Sequence, residues 1–247
     1  MNGTRSHPNP LLRTWRRPDG VPGASLWYRF ARQVLRVGFS AMWKIRVFDR
    51  HYEPADGGVL YICNHQSFLD PVLMSLALRR PVHYMARDSL FRSSPFKQLI
   101  RSLNAFPVRR GTADMAAMKE AMRRLKKGSQ LVVFAEGTRT RDGRVGPFLP
   151  GVALLAQRAA KWTVPVVIDG AFEAWPRVRP LPGPGSIVVR YAAPIAQDDA
   201  RDLAPDELVA RVRETIIAMQ AETRRRTGRA ALEYACEAEA PYPGDQE

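Results

Sequence analysis

Three short blocks concentrate the residues able to act on a substrate. The first is Cys63-Asn64-His65-Gln66-Ser67-Phe68-Leu69-Asp70. A histidine and a carboxylate five apart can fold back on each other across a turn. The carboxylate then fixes the imidazole tautomer and stabilises its protonated form, leaving the other ring nitrogen as a general base for a hydroxyl. The second block is Phe106-Pro107-Val108-Arg109-Arg110-Gly111-Thr112. Guanidinium forks match phosphate oxygens, and the N–H groups of a following helical turn add to the pull. The third is Phe134-Ala135-Glu136-Gly137-Thr138-Arg139, closed by Phe148-Leu149-Pro150-Gly151. Gly137 lets the backbone turn or approach a ligand closely. Arg139 is a further anion fork, and Glu136 suits holding an arginine or fixing the loop. Each block alone also has an ordinary structural reading. Asp70 before Pro71 is a helix cap, His65 a loop histidine, and an arginine pair a solvated basic turn.

The surrounding periodicities place these blocks. Ile45–Phe48, Val59–Cys63, Val82–Ala86, Ala105–Val108, Leu131–Phe134, Val164–Ile168 and Ile187–Tyr191 are apolar runs of strand length. Helices are predicted over Ser25–Lys44, Asp70–Arg79, Ser94–Leu103, Thr112–Lys127, Val152–Lys161 and from Pro205 onward. In Thr112–Lys127 the expected buried face is Met115, Met118, Met122 and Leu125, with Gly128 as the stop. In the last helix it is Leu208, Val212, Ile216 and Met219. Pro176–Gly185 reads as an irregular loop. Strands alternating with helices, and strands apolar throughout, predict an α/β fold: a single domain, a mainly parallel sheet, helices on both faces. Sites in such sheets form at the carboxyl ends of strands, where all three blocks fall.

Composition excludes several classes. An apolar share of 45% and a charged share of 25% suit a globular chain of 247 residues. Two cysteines, Cys63 and Cys236, make no disulfide scaffold, and histidines at 7, 51, 65 and 83 make no paired zinc motif. Stretches without charge, such as Gly57–Leu69, are too short and too polar to span a bilayer. The first residues lack the order of a signal peptide, so a reducing, cytoplasmic setting is expected. The net charge of +14 favours polyanionic partners: nucleic acid, an anionic membrane surface or phosphorylated substrates. No nucleic-acid motif accompanies it. In Ser25–Lys44 a narrow polar stripe of Arg29, Arg32, Gln33, Arg36, Ser40 and Lys44 borders a wide aromatic-rich face. That suits an interfacial helix, and equally a core helix with a solvated arginine edge.

In order, and after successive strands, the three blocks resemble the glycerolipid acyltransferase family, of the 1-acylglycerol-3-phosphate acyltransferase type. The resemblance covers about residues 45–195. The first block is similar to the family's Asn-His-x-x-x-x-Asp signature, which implies His65 as general base and Asp70 as its orienting partner. The second resembles the strand-Pro-Val-x-Arg-Gly element and puts Arg110 at the acceptor phosphate. The third resembles Phe-Pro-Glu-Gly-Thr-Arg and implicates Glu136, Gly137, Thr138 and Arg139 in substrate binding. Val164-Pro165-Val166-Val167 resembles a fourth block near the acyl site. Asn64, Ser67, Arg109 and Arg144 are further candidates. Ala135 stands where the family usually has proline, Arg109 where an acidic residue is common, and Leu149 where many members carry a cation.

The resemblance implies transfer of a fatty acyl group from acyl-coenzyme A or acyl carrier protein to a lysophospholipid hydroxyl, first of all that of 1-acylglycerol-3-phosphate. Another lysolipid acceptor, or a hydrolase that uses water, stays open, as does a basic binding protein on the same fold. The thiolate leaves readily, so no protein nucleophile is needed, and no metal or redox cofactor is implied; amides after a strand are expected to stabilise the oxyanion. The expected division is an arm and amphipathic interfacial helix over 1–44, a catalytic domain over 45–226, and a loosely packed acidic tail over 227–247. The expected partners are the lysolipid, the acyl thioester and an anionic membrane surface, without nucleic acid, and the expected location is peripheral, on the cytoplasmic face of a membrane.

Overall fold

A computed structural model of the chain describes residues 25–109 and 114–234. Ser25 caps helix α1 (Leu26–Met42), its Oγ accepting the Tyr28 N–H at 3.1 Å. The chain leaves α1 extended at Trp43 and enters β1 (Trp43–Phe48). Then follow β2 (Val59–Cys63), α2 (Asp70–Ala77), β3 (Val82–Arg87), α3 (Ser94–Ser102), β4 (Ala105–Val108), α4 (Met115–Lys126) and β5 (Gln130–Phe134). The second half holds α5 (Gly151–Arg158), β6 (Trp162–Asp169), α6 (Ala171–Ala174), β7 (Gly185–Tyr191), β8 (Ile195–Ala196), α7 (Gln197–Arg201) and α8 (Pro205–Arg226).

One sheet runs β1-β7-β6-β2-β5-β3-β4, with β8 also pairing β6. β2, β3, β4, β5 and β6 are mutually parallel, and β7 and β8 are antiparallel to β6. β2 lies in the middle and all five of its residues are buried, as its unbroken apolar run requires. Its alternate side chains enter two cores. Val59, Tyr61 and Cys63 meet Leu73, Met74 and Ala77 of α2. Leu60 and Ile62 join Leu125, Leu155, Leu208 and Val212 of α4, α5 and α8. Pro165 lies inside β6, an unusual place for a residue without an N–H. Its carbonyl accepts the Ala192 N–H at 2.9 Å, so the missing donor faces the gap between β7 and β8.

Two predicted faces differ from the structure. In α4 the buried residues are Ala117, Ala121 and Leu125, while Met118 and Met122 are partly buried and Met115 is exposed. The small alanines let the helix lie close to the sheet, and the methionines flank the contact. In α1 the stripe of polar residues is only partly solvated: Arg29 and Gln33 are exposed, as is Lys44 just past the helix, while Arg32, Arg36 and Ser40 are half-buried. Arg32 donates to the carbonyls of Arg79, at 3.0 Å, and Leu78, at the end of α2. Tyr28 is buried with its hydroxyl 3.0 Å from Ser75 Oγ, and Leu35 and Phe39 pack on the core. The opposite face, Leu26, Phe30, Val34 and Val37, is exposed. Among the described residues, no helix is long and apolar enough to cross a membrane.

Candidate active site

β2, β5 and β6 end side by side, with Cys63 in register with Phe134 and Val166. The residues that follow bind the three turns together. Asn64 continues the ladder with its side chain: Oδ1 accepts the Ile168 N–H at 2.8 Å and Nδ2 donates to the Ile168 carbonyl at 2.9 Å. Asn64 is fully buried and acts as a clamp. The His65 N–H donates to Glu136 Oε1 at 2.9 Å, and the His65 carbonyl accepts the Thr140 N–H at 2.8 Å. The Ala135 N–H donates to the Cys63 carbonyl at 3.1 Å, a bond that proline at this position could not make.

His65 Nδ1 lies 2.7 Å from Asp70 Oδ2. The same oxygen accepts the N–H of Gln66 at 2.6 Å and of Ser67 at 2.7 Å. Asp70 is therefore not the N-cap: Leu69 holds that position, and the Asp70 carboxylate reaches backward to shape the turn. The imidazole stacks on Phe134, centroids 4.3 Å apart and planes inclined by 19°. Ser67 Oγ donates to the Trp175 carbonyl at 2.8 Å, so Ser67 fixes the turn from its other side. The amides of residues 65–67 are all bonded to Glu136 and Asp70, which removes them as oxyanion donors. Cys63 is fully buried, and burial pushes its thiol well above the usual range, which makes it a poor nucleophile.

Glu136 is only 6% exposed. Burial pushes its carboxyl up to about 8, helped by the negative charge of Asp70 and opposed by the N–H groups of His65 and Gly146. At neutral pH it is mainly protonated, and its Oε1 holds the turn that follows β2 through the His65 N–H. Gly137 turns the chain at φ 68°, its N–H donating to the Phe134 carbonyl at 3.1 Å. Leu149 lies over it. Thr138 is exposed at the tip of the turn. The Arg139 guanidinium lies 3.4 Å from the centre of the Phe68 ring, and Phe68 in turn tilts against Trp175 at 5.4 Å. Arg109 is exposed, its N–H donating to Asp114 Oδ2 at 2.9 Å, while Asp114 also caps α4. Arg110 lies outside the described residues. Arg144 is exposed and paired with Asp142 at 3.3 Å. Among the described residues, no group of three or more His, Cys, Asp and Glu could hold a metal ion.

Several supporting residues escape the sequence reading. The Gly143 carbonyl accepts two amides, Gln66 Nε2 at 3.0 Å and Gln220 Nε2 at 2.9 Å. The Tyr234 hydroxyl donates to Gln220 Oε1 and accepts the Val145 N–H at 3.0 Å. Arg213 Nε donates to the Gly146 carbonyl at 2.8 Å. Asp169, at the end of β6, pairs with Arg224 at 3.0 Å and with Arg229. α8 and residues 227–234, the latter expected in a loosely packed tail, thus hold the loop behind the turns that follow β2 and β5. Gln66 and Phe68 lie inside the first block, where neighbourhood alone could have flagged them. Nothing local marks Gln220 or Tyr234.

A family model described as Acyltransferase matches residues 44–169. The chain belongs to the acyltransferase family. A 1-acyl-sn-glycerol-3-phosphate acyltransferase of Bacillus subtilis is 26% identical over 190 residues, which is 76% of this chain and 92% of that protein. A protein of the same name from Cocos nucifera is 34% identical over 147 residues, 57% of this chain and 46% of that one. The crystal structure of the 1-acyl-sn-glycerophosphate acyltransferase PlsC from Thermotoga maritima superposes with a TM-score of 0.68 over 79% of each chain, at 24% identity. That likeness bears on the fold, and it agrees with the α/β sheet expected of an acyltransferase domain.

Proposed function

We infer that this acyltransferase moves a fatty acyl group from an acyl thioester to the free hydroxyl of 1-acylglycerol-3-phosphate at a membrane surface. The observation that carries the reading is the His65–Asp70 pair, 2.7 Å apart at the carboxyl end of the central strand. With Nδ1–H donated to Asp70, Nε2 is the basic nitrogen. It takes the proton of the acceptor hydroxyl as the oxygen attacks the thioester carbonyl. The tetrahedral intermediate collapses, the carbon–sulfur bond breaks, and the thiolate of coenzyme A or a carrier protein departs. Asp70 stabilises the imidazolium while it lasts. Arg139 and Arg110 bind the acceptor phosphate as charged forks. The names carried by the relatives support this acceptor, and the exposed apolar face of α1 supports peripheral attachment to the bilayer that holds it.

The test is thiol release by the purified chain in detergent micelles, with long-chain acyl-coenzyme A or acyl carrier protein, with and without lysophosphatidate. Release that needs lysophosphatidate is the expected result. Release that needs a different lysolipid would keep the mechanism and change the acceptor, whereas equal release without any acceptor would make the protein a hydrolase. His65→Ala should stay folded and lose about 10²–10⁴-fold in turnover, the usual worth of a general base.

A further inference from the structure

We propose that the loop between α6 and β7, residues 176–184, is a wedge that inserts into an anionic bilayer and seats the catalytic edge on the lipid. The proposal rests on the lipid-acceptor reading above and adds a second membrane contact, separate from α1. Topology puts the loop there. β7 is antiparallel to β6, so the chain enters β7 at the edge where β2, β5 and β6 end. Side chains root the loop in the site. Ser67 Oγ, in the catalytic turn, donates to the Trp175 carbonyl at 2.8 Å, and Phe68 packs on the Trp175 ring. At the other root, Trp43 Nε1 donates to the Gly183 carbonyl at 2.8 Å, which joins the loop to the end of α1.

The tip of the loop is built for lipid. Val178 is 90% exposed, the most exposed large apolar side chain among the described residues, and Leu181 is 72% exposed. Scattered apolar residues are ordinary on a surface, but here Arg177 and Arg179 flank Val178. No carboxylate occurs between Glu173 and Asp198. Apolar tips between cations match an interface of acyl chains below anionic headgroups. The backbone also lowers the cost of entry. Pro176, Pro180, Pro182 and Pro184 have no N–H to desolvate. The N–H groups of Arg179 and Gly183 donate internally to the carbonyls of Pro176, at 3.2 Å, and Ala174, at 2.8 Å. The Arg179 carbonyl accepts Trp175 Nε1 at 3.0 Å. Amides that are absent or already paired spare the several kcal/mol that each unpaired group costs in hydrocarbon.

The experiment uses the full chain with Cys236→Ser, so that a single introduced cysteine carries an environment-sensitive fluorophore while Cys63 stays buried. The label goes at Val178→Cys, at Phe30→Cys on the outer face of α1, or at Glu207→Cys, an exposed position of α8. Vesicles of phosphatidylcholine with phosphatidylglycerol should blue-shift the Val178 label and expose it to quenchers fixed on the acyl chains, while the Glu207 label stays unchanged. A Phe30 label that shifts while the Val178 label does not would overturn the wedge and leave peripheral attachment through α1 intact. Neither label shifting would overturn both. A blue shift without lipid that grows with protein concentration would assign the tip to a second copy of the chain, and so overturn the proposal. Independently, Val178→Asp with Leu181→Asp should bind these vesicles about tenfold more weakly, a modest loss for two interfacial apolar side chains, with unchanged Tm. Wild-type vesicle binding by this folded double variant would also overturn it.

Discussion

Asp70→Asn removes one charge from the site and almost no volume. Asp70 is fully buried, and its Oδ2 serves His65 Nδ1 and the N–H groups of Gln66 and Ser67. An asparagine keeps those bonds only with its carbonyl oxygen in that place, because the flipped amide would set NH2 against the same donors. Its Nδ2 then falls where Oδ1 lies now, a buried atom without a hydrogen-bond partner. An unpaired amide there costs about 1–3 kcal/mol of stability, so the fold should survive with a lower Tm. The chemistry should lose more. On the proposed mechanism, as His65 takes the acceptor proton its positive charge loses a carboxylate about 4 Å away, worth about 4 kcal/mol at an effective dielectric of about 20. That corresponds to about 10³-fold in rate, and the surviving neutral hydrogen bond returns part of it. We expect kcat to fall about 10²–10³-fold with KM for lysophosphatidate nearly unchanged, measured as acceptor-dependent thiol release below the variant's Tm. A kcat within about threefold of wild type, in a variant with the expected loss of Tm, would show that the charge of Asp70 does not support the step.

Other perturbations address the scaffold. Glu136 has a folded-state pKa, about 8, above its ordinary range, so the folded protein holds the proton more tightly than the unfolded chain. Its contribution to stability is present in full below about pH 4.5 and is lost as pH rises towards about 8, amounting to at most about 5 kcal/mol. Urea unfolding of wild type and Glu136→Gln at about pH 5.5 and about pH 8.5 should show a steeper decline for wild type, and parallel declines would refute the assignment. Gly137→Ala forces a Cβ onto a residue at φ 68°, 2.8 Å from Leu149 Cδ1. It should cost about 1–2 kcal/mol from the dihedral, and adding Leu149→Ala should relieve only the steric share. An unchanged urea midpoint for Gly137→Ala would mean that the turn relaxes freely.

What was legible in the sequence was local. β2 and β4 lie where apolar runs between breakers put them, because a buried strand needs an unbroken run and a turn needs something else. His65 and Asp70 pair as their spacing suggested, because a five-residue turn leaves them little choice. Partners distant in the chain were not legible. Periodicity revealed that α1 has faces, but not that Arg32 would find the Leu78 and Arg79 carbonyls just past α2 and leave Leu26 and Phe30 outside. In α4, methionine outweighed alanine on a hydrophobicity scale, whereas close approach to the sheet selected Ala117 and Ala121. The antiparallel return of β7 carries no sequence mark, yet it brings Trp175 and the proline-rich loop to the edge where β2, β5 and β6 end. Gln220 and Tyr234 reach the site only because α8 crosses behind it.

The two buried carboxyls of the site explain each other. Both receive amides of the same turn, Glu136 from His65 and Asp70 from Gln66 and Ser67, so the turn is shaped before any substrate arrives. Two negative charges so close would repel each other and an acceptor phosphate as well. The charge of Asp70 contributes to raising Glu136, so one negative charge remains beside the imidazole. If His65 takes the proton as proposed, its positive charge and that remaining negative charge balance. On the proposed mechanism the scaffold then adds no net charge to the site at the moment of transfer, while the Arg139 guanidinium stacks on Phe68. On this reading Glu136 serves catalysis by being neutral. Raising the pH through about 8 should then weaken lysophosphatidate binding in wild type as well as stability, and Glu136→Gln should remove that part of the KM profile.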